Sequence, residues 1–212
     1  MRDQLLNLGE VRQTKGMGQP LLKVRRATEG DHSGIIRLID EAAAWLRTKD
    51  TDQWAKPWRN EDDRSERILR DLRAGKTWII AESNALVATL TADTHHDHQE
   101  MIVWPARAHQ DPAIYVCRLA VSRSHAGQSL GAALLNWAGR SARERHGARW
   151  LRVDVWTTNY GLQAYYRRQG FEFYDYSEDD EYPSGALFQK STETIRPDTR
   201  PLFRVERGGR PA

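Results

Sequence analysis

The chain has 212 residues, of which 39% are hydrophobic and 29% charged, with a net charge of +3. That is enough for one domain with tails and a modest core, while no apolar run approaches the roughly 20 residues of a membrane span. Cys117 is the only cysteine, which excludes an intrachain disulfide; the opening MRDQLLNLGE lacks an apolar signal core, so a reducing cytoplasm is the expected compartment.

Residues 1–20 carry three glycines and few large apolar side chains and read as a flexible arm. Leu22 to Ala27 reads as a strand. Asp31 is placed to cap a helix in which Ile35, Ile39, Ala42 and Leu46 keep helical spacing. TDQWAKPW is a loop holding Trp54 and Trp58. A second helix is expected from Asn60, with Asp63 as capping-box partner, to Gly75. Thr77 to Ala81 and Ala85 to Ala92 form a strand pair turning at Ser83-Asn84. The polar loop THHDHQE follows; His95, His96 and His98 have no matching cysteines there and read as solvated, with no metal expected. Ala113 to Ser122 is the next strand, and SHAGQSLGAALLNWA runs from a small-residue loop into a helix closing near Gly147. Leu151 to Trp156 is a strand, Tyr160 to Arg168 a short helix ended by Gly170, and Phe171 to Tyr176 and Ala186 to Lys190 the last strands. Strands alternating with helices imply an α/β or α+β sandwich, a single domain over residues 21–191. Residues 192–212, rich in proline, arginine and glycine, read as a C-terminal tail whose Leu202, Phe203 and Val205 offer a way to dock on the domain or a partner subunit. Much of the positive charge lies in that tail, and no basic face interleaved with aromatics is visible, which argues against a nucleic-acid groove.

The loop before the third helix is the first candidate site. Leu130, Leu134, Trp137 and Ala138 share one helix face that must pack on the sheet. The helix then begins at a strand's carboxyl end with unpaired amides and a positive dipole. Ala126, Gly127, Ser129, Gly131 and Ala132 are all small, so an anion can approach the backbone without a lysine. The P-loop is excluded because Gly-Lys-Ser/Thr is absent, and the dinucleotide fingerprint because Gly127 and Gly131 do not match its glycines. Serine at 129 would cost about 1–2 kcal/mol if that position needs a positive φ, whereas a helix-start conformation would suit it.

The second candidate is NYGLQAYYRRQGF, with Asn159, Tyr166, Gly170 and Phe171 at fixed spacing. With LAVSRSHAGQSLGAALL before it, the chain resembles the GNAT superfamily of acetyl-CoA-dependent N-acetyltransferases over roughly residues 22–190. It departs from the family's phosphate loop at Ala126, where Arg or Gln is usual, and at Ser129, where the middle glycine is usual.

The resemblance implies an α/β (α+β) fold with a central mixed, mostly antiparallel sheet of about six or seven strands and helices on both faces. It implies acetyl-CoA as co-substrate, its pyrophosphate on residues Ala126, Gly127, Gln128, Ser129, Leu130, Gly131 and Ala132. Leu119, Ala120 and Val121 would pair with pantetheine, Asn159 would bond the pantetheine arm or fix the strand opening, and Tyr166 would protonate the departing thiolate, with Tyr165 as core or pocket wall. The base is open: many relatives carry glutamate where this chain has Arg118, so Asp154, on the face opposite Val153 and Val155, and a water chain are the candidates; the plainer reading of Asp154 is a cross-strand partner of Arg118 or Arg152. The acceptor would be a small-molecule or peptide amine, drawn by Asp179, Asp180 and Glu181 of the SEDDE run and walled by Trp104. A homodimer is compatible with the pattern. The alternatives are an acyl-CoA sensor without turnover, an enzyme for another acyl-CoA, and an acetylase of aminoacyl-tRNA, which the acidic run weakens.

Overall fold

The computed structural model describes residues 22–49, 51–54, 61–82, 85–94, 103–179 and 182–206. Its elements are β1 (Leu22–Arg26), α1 (His32–Arg47), α2 (Glu61–Arg73), β2 (Thr77–Glu82), β3 (Ala85–Asp93), β4 (Ala113–Val121), α3 (Leu130–His146), β5 (Trp150–Val155), α4 (Tyr160–Arg168), β6 (Glu172–Tyr176), β7 (Ala186–Ser191) and β8 (Phe203–Val205). The strands make one mixed sheet in the order β6-β7-β5-β4-β3-β2-β1-β8. Among the described strands, β4 with β5 and β1 with β8 run parallel and the other pairs antiparallel. The sheet thus has eight described strands, one more than the upper expectation. The extra strand is β8, in the segment read as a tail. Three residues are too few to show strand periodicity, and their partner, β1, lies at the other end of the sequence.

Alternation along each strand assigns the faces. Trp78 and Ile80 join the main core with Leu134, Leu151, Val153, Val155 and Phe188, under α3 and α4. Ile79, between them in sequence, packs with Ile35, Ile39, Ile68 and Leu72 under α1 and α2. On that second face, farther along the sheet, Trp104, Tyr115, Tyr182 and Leu187 form a smaller cluster. Asp31 does not cap α1 with its side chain. Its carboxylate turns back instead, accepting from the Thr28 amide at 2.8 Å and pairing with Arg25 at 2.7 Å. The cap expected at Asn60 lies outside the described residues.

Two features open the sheet. The β4–β5 ladder runs from Ala113↔Trp150 to Val116↔Val153 and then stops. Immediately beyond, β4 carries a bulge: Thr91 pairs with Cys117 and Thr89 with Ala120, so two residues of β4 face one of β3. Arg118, inside the bulge, has φ 49. The bulge bends β4 away where its pairing to β5 ends, leaving a notch at the carboxyl ends of both strands.

Candidate active site

The loop at the notch supplies donors. After β4 the chain makes a single 3-10 turn over Arg123–His125 and enters α3 through Ser129. Ser129 is left-handed (φ 60, ψ 15) and caps nothing with its hydroxyl, so the strained conformation is the one realised. The amides of Gly127, Ser129, Leu130, Gly131 and Ala132 have no acceptor among the described residues. Residues 126–129 are exposed, whereas Leu130 is buried beneath them and anchors the helix start.

Gly127 and Gly131 serve different needs. Gly127 has φ 79, and a methyl group added there would meet nothing within 4 Å, so its conformation alone favours glycine. A Cβ at Gly131 would lie 3.4 Å from the Tyr165 hydroxyl and 3.7 Å from Leu119 and Val121, all ordinary contacts. None of these neighbours demands glycine at 131. The exposed loop before the helix and its unclaimed donors suit an anion, so the site fits a pyrophosphate with a chain running along Leu119, Ala120 and Val121.

Tyr165 and Tyr166 stand together on α4, their rings edge to face at 5.4 Å. Tyr166 is buried in the main core against Phe171, and burial, with the neighbouring Tyr165 and the Asp154 charge, pushes its phenol well above the ordinary range. Tyr165 is half-buried and is likewise raised by burial. Both therefore hold their protons at neutral pH. Neither hydroxyl bonds a described residue. The Tyr165 hydroxyl lies by the phosphate loop, a placement invisible in sequence.

Asn159 is engaged by the protein at both its amide oxygen and its amide nitrogen. Its Oδ1 accepts from the Leu162 amide at 2.9 Å, capping α4, and its Nδ2 donates to Gln53 Oε1 at 2.6 Å in a buried bond. One residue before Gln53, Asp52 accepts from Trp156 Nε1 at 2.7 Å and Thr158 Oγ1 at 3.0 Å. These bonds hold its carboxyl below the ordinary value. The α1–α2 connection is thus strapped to the β5–α4 turn.

On the α1/α2 face, Asp154 is the first β5 residue past the last β4–β5 pair. It accepts a hydrogen bond from Tyr182 Oη at 2.9 Å. Tyr182 is buried, and its amide bonds the Asp179 carbonyl at 3.1 Å, so the acidic run leads directly into this contact. Sequence spacing does not single out Tyr182; a lone aromatic just after that run is the only signal it offers. Arg118 pairs with the buried Asp71 of α2. Arg152 is buried, donating to the Tyr115 hydroxyl at 2.9 Å and the Ala108 carbonyl at 2.5 Å, with Trp104 5.1 Å from its guanidinium. Trp104, expected as an acceptor wall, is only 2% exposed and sits in this cluster against Tyr115 and Tyr174. Trp54 packs beside the α1/α2 core. Asp179 is exposed; Asp180, Glu181, Trp58, His95, His96 and His98 lie outside the described residues. Among the described residues no group of His, Cys, Asp or Glu is placed to hold a metal, and no helix is long and apolar enough to cross a membrane.

The family model for the acetyltransferase (GNAT) family matches residues 39–171. The uncharacterized N-acetyltransferase YesJ of Bacillus subtilis (strain 168) is 30% identical over 143 residues, 68% of this chain and 77% of that protein. A GNAT-family acetyltransferase from Listeria monocytogenes 4b F2365 superposes with a TM-score of 0.64 at 25% identity, covering 80% of this chain and 94% of that one. The PaiA N-acetyltransferase of Thermoplasma acidophilum, solved in complex with coenzyme A, gives 0.59 at 15% identity over 80% and 98%, a likeness of fold.

Proposed function

The chain belongs to the acetyltransferase (GNAT) family, and we propose that it is an N-acetyltransferase carrying acetyl from acetyl-CoA directly to an amine. The observation that carries this reading is the unclaimed row of amides from Ser129 to Ala132 at the notch, with the Tyr165 hydroxyl, which bonds no described residue, beside it. Acetyl-CoA, when bound, supplies the activated acetyl group. The loop amides and the positive end of α3 hold its pyrophosphate, so a side chain at position 126 is dispensable. Backbone groups of Leu119, Ala120 and Val121 pair with the pantetheine arm, and an amide at the bulge stabilises the developing oxyanion. Tyr166, protonated because it is buried, gives its proton to the leaving sulfur.

The acceptor is proposed to be a cationic amine. In sequence the acidic run directly precedes Tyr182, which bonds Asp154 at the notch, and its carboxylates would steer a cation in a salt-dependent way. The site is expected to work in the cytoplasm.

Thermal unfolding with and without acetyl-CoA tests the cofactor half. At 100 times Kd, binding stabilises by about 2.7 kcal/mol, a rise of about 5–10 °C for a chain this size. Gly131→Val should remove the rise while the unliganded protein still melts cooperatively. Absence of any rise in the wild type at millimolar acetyl-CoA would overturn the reading.

A further inference from the structure

We propose that Asp154, held by Tyr182, is the group that receives the acceptor's ammonium and takes its proton. The inference rests on the N-acetyltransferase reading above and supplies the base that Arg118 cannot be. Position comes first. The β4–β5 ladder ends at Val116↔Val153, so Asp154 is the first β5 side chain past the closed part of the sheet. Leu151, Val153 and Val155 point into the core under α3, which turns Asp154 to the other face. It is neither buried like Val153 nor fully exposed, as expected of a carboxylate lining the notch.

Orientation comes second. Tyr182 is buried at 8% exposure, and its hydroxyl donates to Asp154 Oδ2 at 2.9 Å. The described residues on either side of Tyr182 are themselves held: the Thr157 amide donates to the Pro183 carbonyl at 2.9 Å, the Thr157 hydroxyl to the same carbonyl at 3.2 Å, and the Ser177 amide to the Gly185 carbonyl at 2.8 Å. A bond from a fixed donor to one oxygen sets the rotation of the whole carboxylate at the notch. Tyr182 is therefore a positioning residue.

Proximity to the chemistry comes third. Tyr166 belongs to the same core cluster as Val153 and Val155, the residues on either side of Asp154 in β5, and after burial and Tyr165 the Asp154 charge also raises its phenol. One carboxylate and one phenol thus flank the point where β4 and β5 part, the first fit to take a proton and the second to give one. Among the described residues, the other charged and titratable groups on this face include Arg152, two residues back on β5; Tyr115, Cys117 and Arg118 on β4; His109, bonded to Tyr115; Tyr174 on β6; Asp93 on β3; Asp71 on α2, paired with Arg118; and Asp179, whose carbonyl accepts from the Tyr182 amide.

The protons balance. The acceptor ammonium passes one proton to the Asp154 carboxylate and becomes a neutral amine. As its nitrogen bonds to the acetyl carbon and the carbon–sulfur bond breaks, Tyr166 protonates the sulfur. The nitrogen's surplus proton returns to the tyrosinate, and Asp154 releases its proton to water.

The test compares 2-phenylethylamine, an ammonium at neutral pH, with 4-methoxyaniline, which is neutral there. Both serve the full-length wild type, Asp154→Asn and Tyr182→Phe with acetyl-CoA, read as thiol release from pH 6 to 10. Asp154→Asn should lose about 10²-fold or more in kcat/KM with phenylethylamine and far less with methoxyaniline. Its acetyl-CoA thermal shift should stay intact. Tyr182→Phe keeps the ring and should lose about 10-fold with phenylethylamine, with its pH profile displaced. Equal losses with both amines would mark a structural role and overturn the proposal, as would an Asp154→Asn variant within threefold of wild type with an unmoved profile. If the wild type acetylates neither amine, the N-acetyltransferase reading falls and the proposal with it.

Discussion

At the residue scale the two adjacent tyrosines separate cleanly. Tyr166 faces the core at the notch and Tyr165 the phosphate loop. Tyr166→Phe removes only the proton donor, so kcat should fall by about 10²–10⁴ with acetyl-CoA affinity nearly unchanged. Tyr165→Phe should instead leave kcat almost intact and raise the acetyl-CoA KM a few-fold; steady-state kinetics on both variants separates the roles, and equal mild effects would refute the assignment. Ser129 gives a stability prediction. A left-handed non-glycine residue costs about 1–2 kcal/mol, and glycine returns roughly 0.5–1 of that through the unfolded chain. Ser129→Gly should therefore be neutral or stabilising by up to about 1.5 kcal/mol in urea unfolding. The residue types at 129 and 131 are legible as a phosphate loop, but the φ at 129 is not, because serine suits both a helix start and a tolerated left-handed turn.

Elements position the site through contacts that sequence spacing does not encode. The strap from the α1–α2 connection to the β5–α4 turn joins residues 106 apart in sequence, through Gln53–Asn159 and Asp52–Thr158. Gln53→Ala leaves the buried Asn159 amide without its partner and should cost about 1–3 kcal/mol in chemical unfolding. A stability unchanged by that substitution would mean the strap holds nothing. The strap also has a pH sense. Hydrogen bonds from Trp156 and Thr158 depress Asp52, and Arg25 depresses Asp31. A carboxyl with a lowered folded pKa stabilises above its unfolded value and loses that stabilisation as pH falls through the folded one. Stability should thus decline as pH drops below the ordinary carboxylate range, and Asp31→Asn should flatten that decline in melts recorded across the acid range. The β4 bulge is hidden in sequence because AIYVCRLAV is apolar at every position but Arg118, so no break in a period marks it; only the β3 register and the φ of Arg118 reveal it. Helix and strand identities are legible, since hydrophobic period and glycine stops fix them locally.

At the scale of the whole molecule, the motifs predict family and fold correctly because they record local chain geometry at a strand–loop–helix and at a helix end. The acceptor side is less legible. Trp104 reads as a surface wall and is core, Tyr182 carries no motif, and β8 closes the sheet from the far end of the chain. Phe203, on β8, meets Trp137 edge to face at 6.4 Å. Phe203→Ala should cost about 3–5 kcal/mol and lower Tm without abolishing acetyl transfer, because the notch lies on the other side of β3 and β2 from β8. The central claim is that the loop at the head of α3 and the tyrosine beside it transfer acetyl from acetyl-CoA to an amine. Its most direct test is mass spectrometry of 2-phenylethylamine incubated with acetyl-CoA and the protein, with thiol release followed in parallel. Acetylated amine and thiol should form in equal amounts with the wild type and at least about 10²-fold more slowly with Tyr166→Phe. Thiol release without acetylated amine, or equal rates in both proteins, would contradict the account.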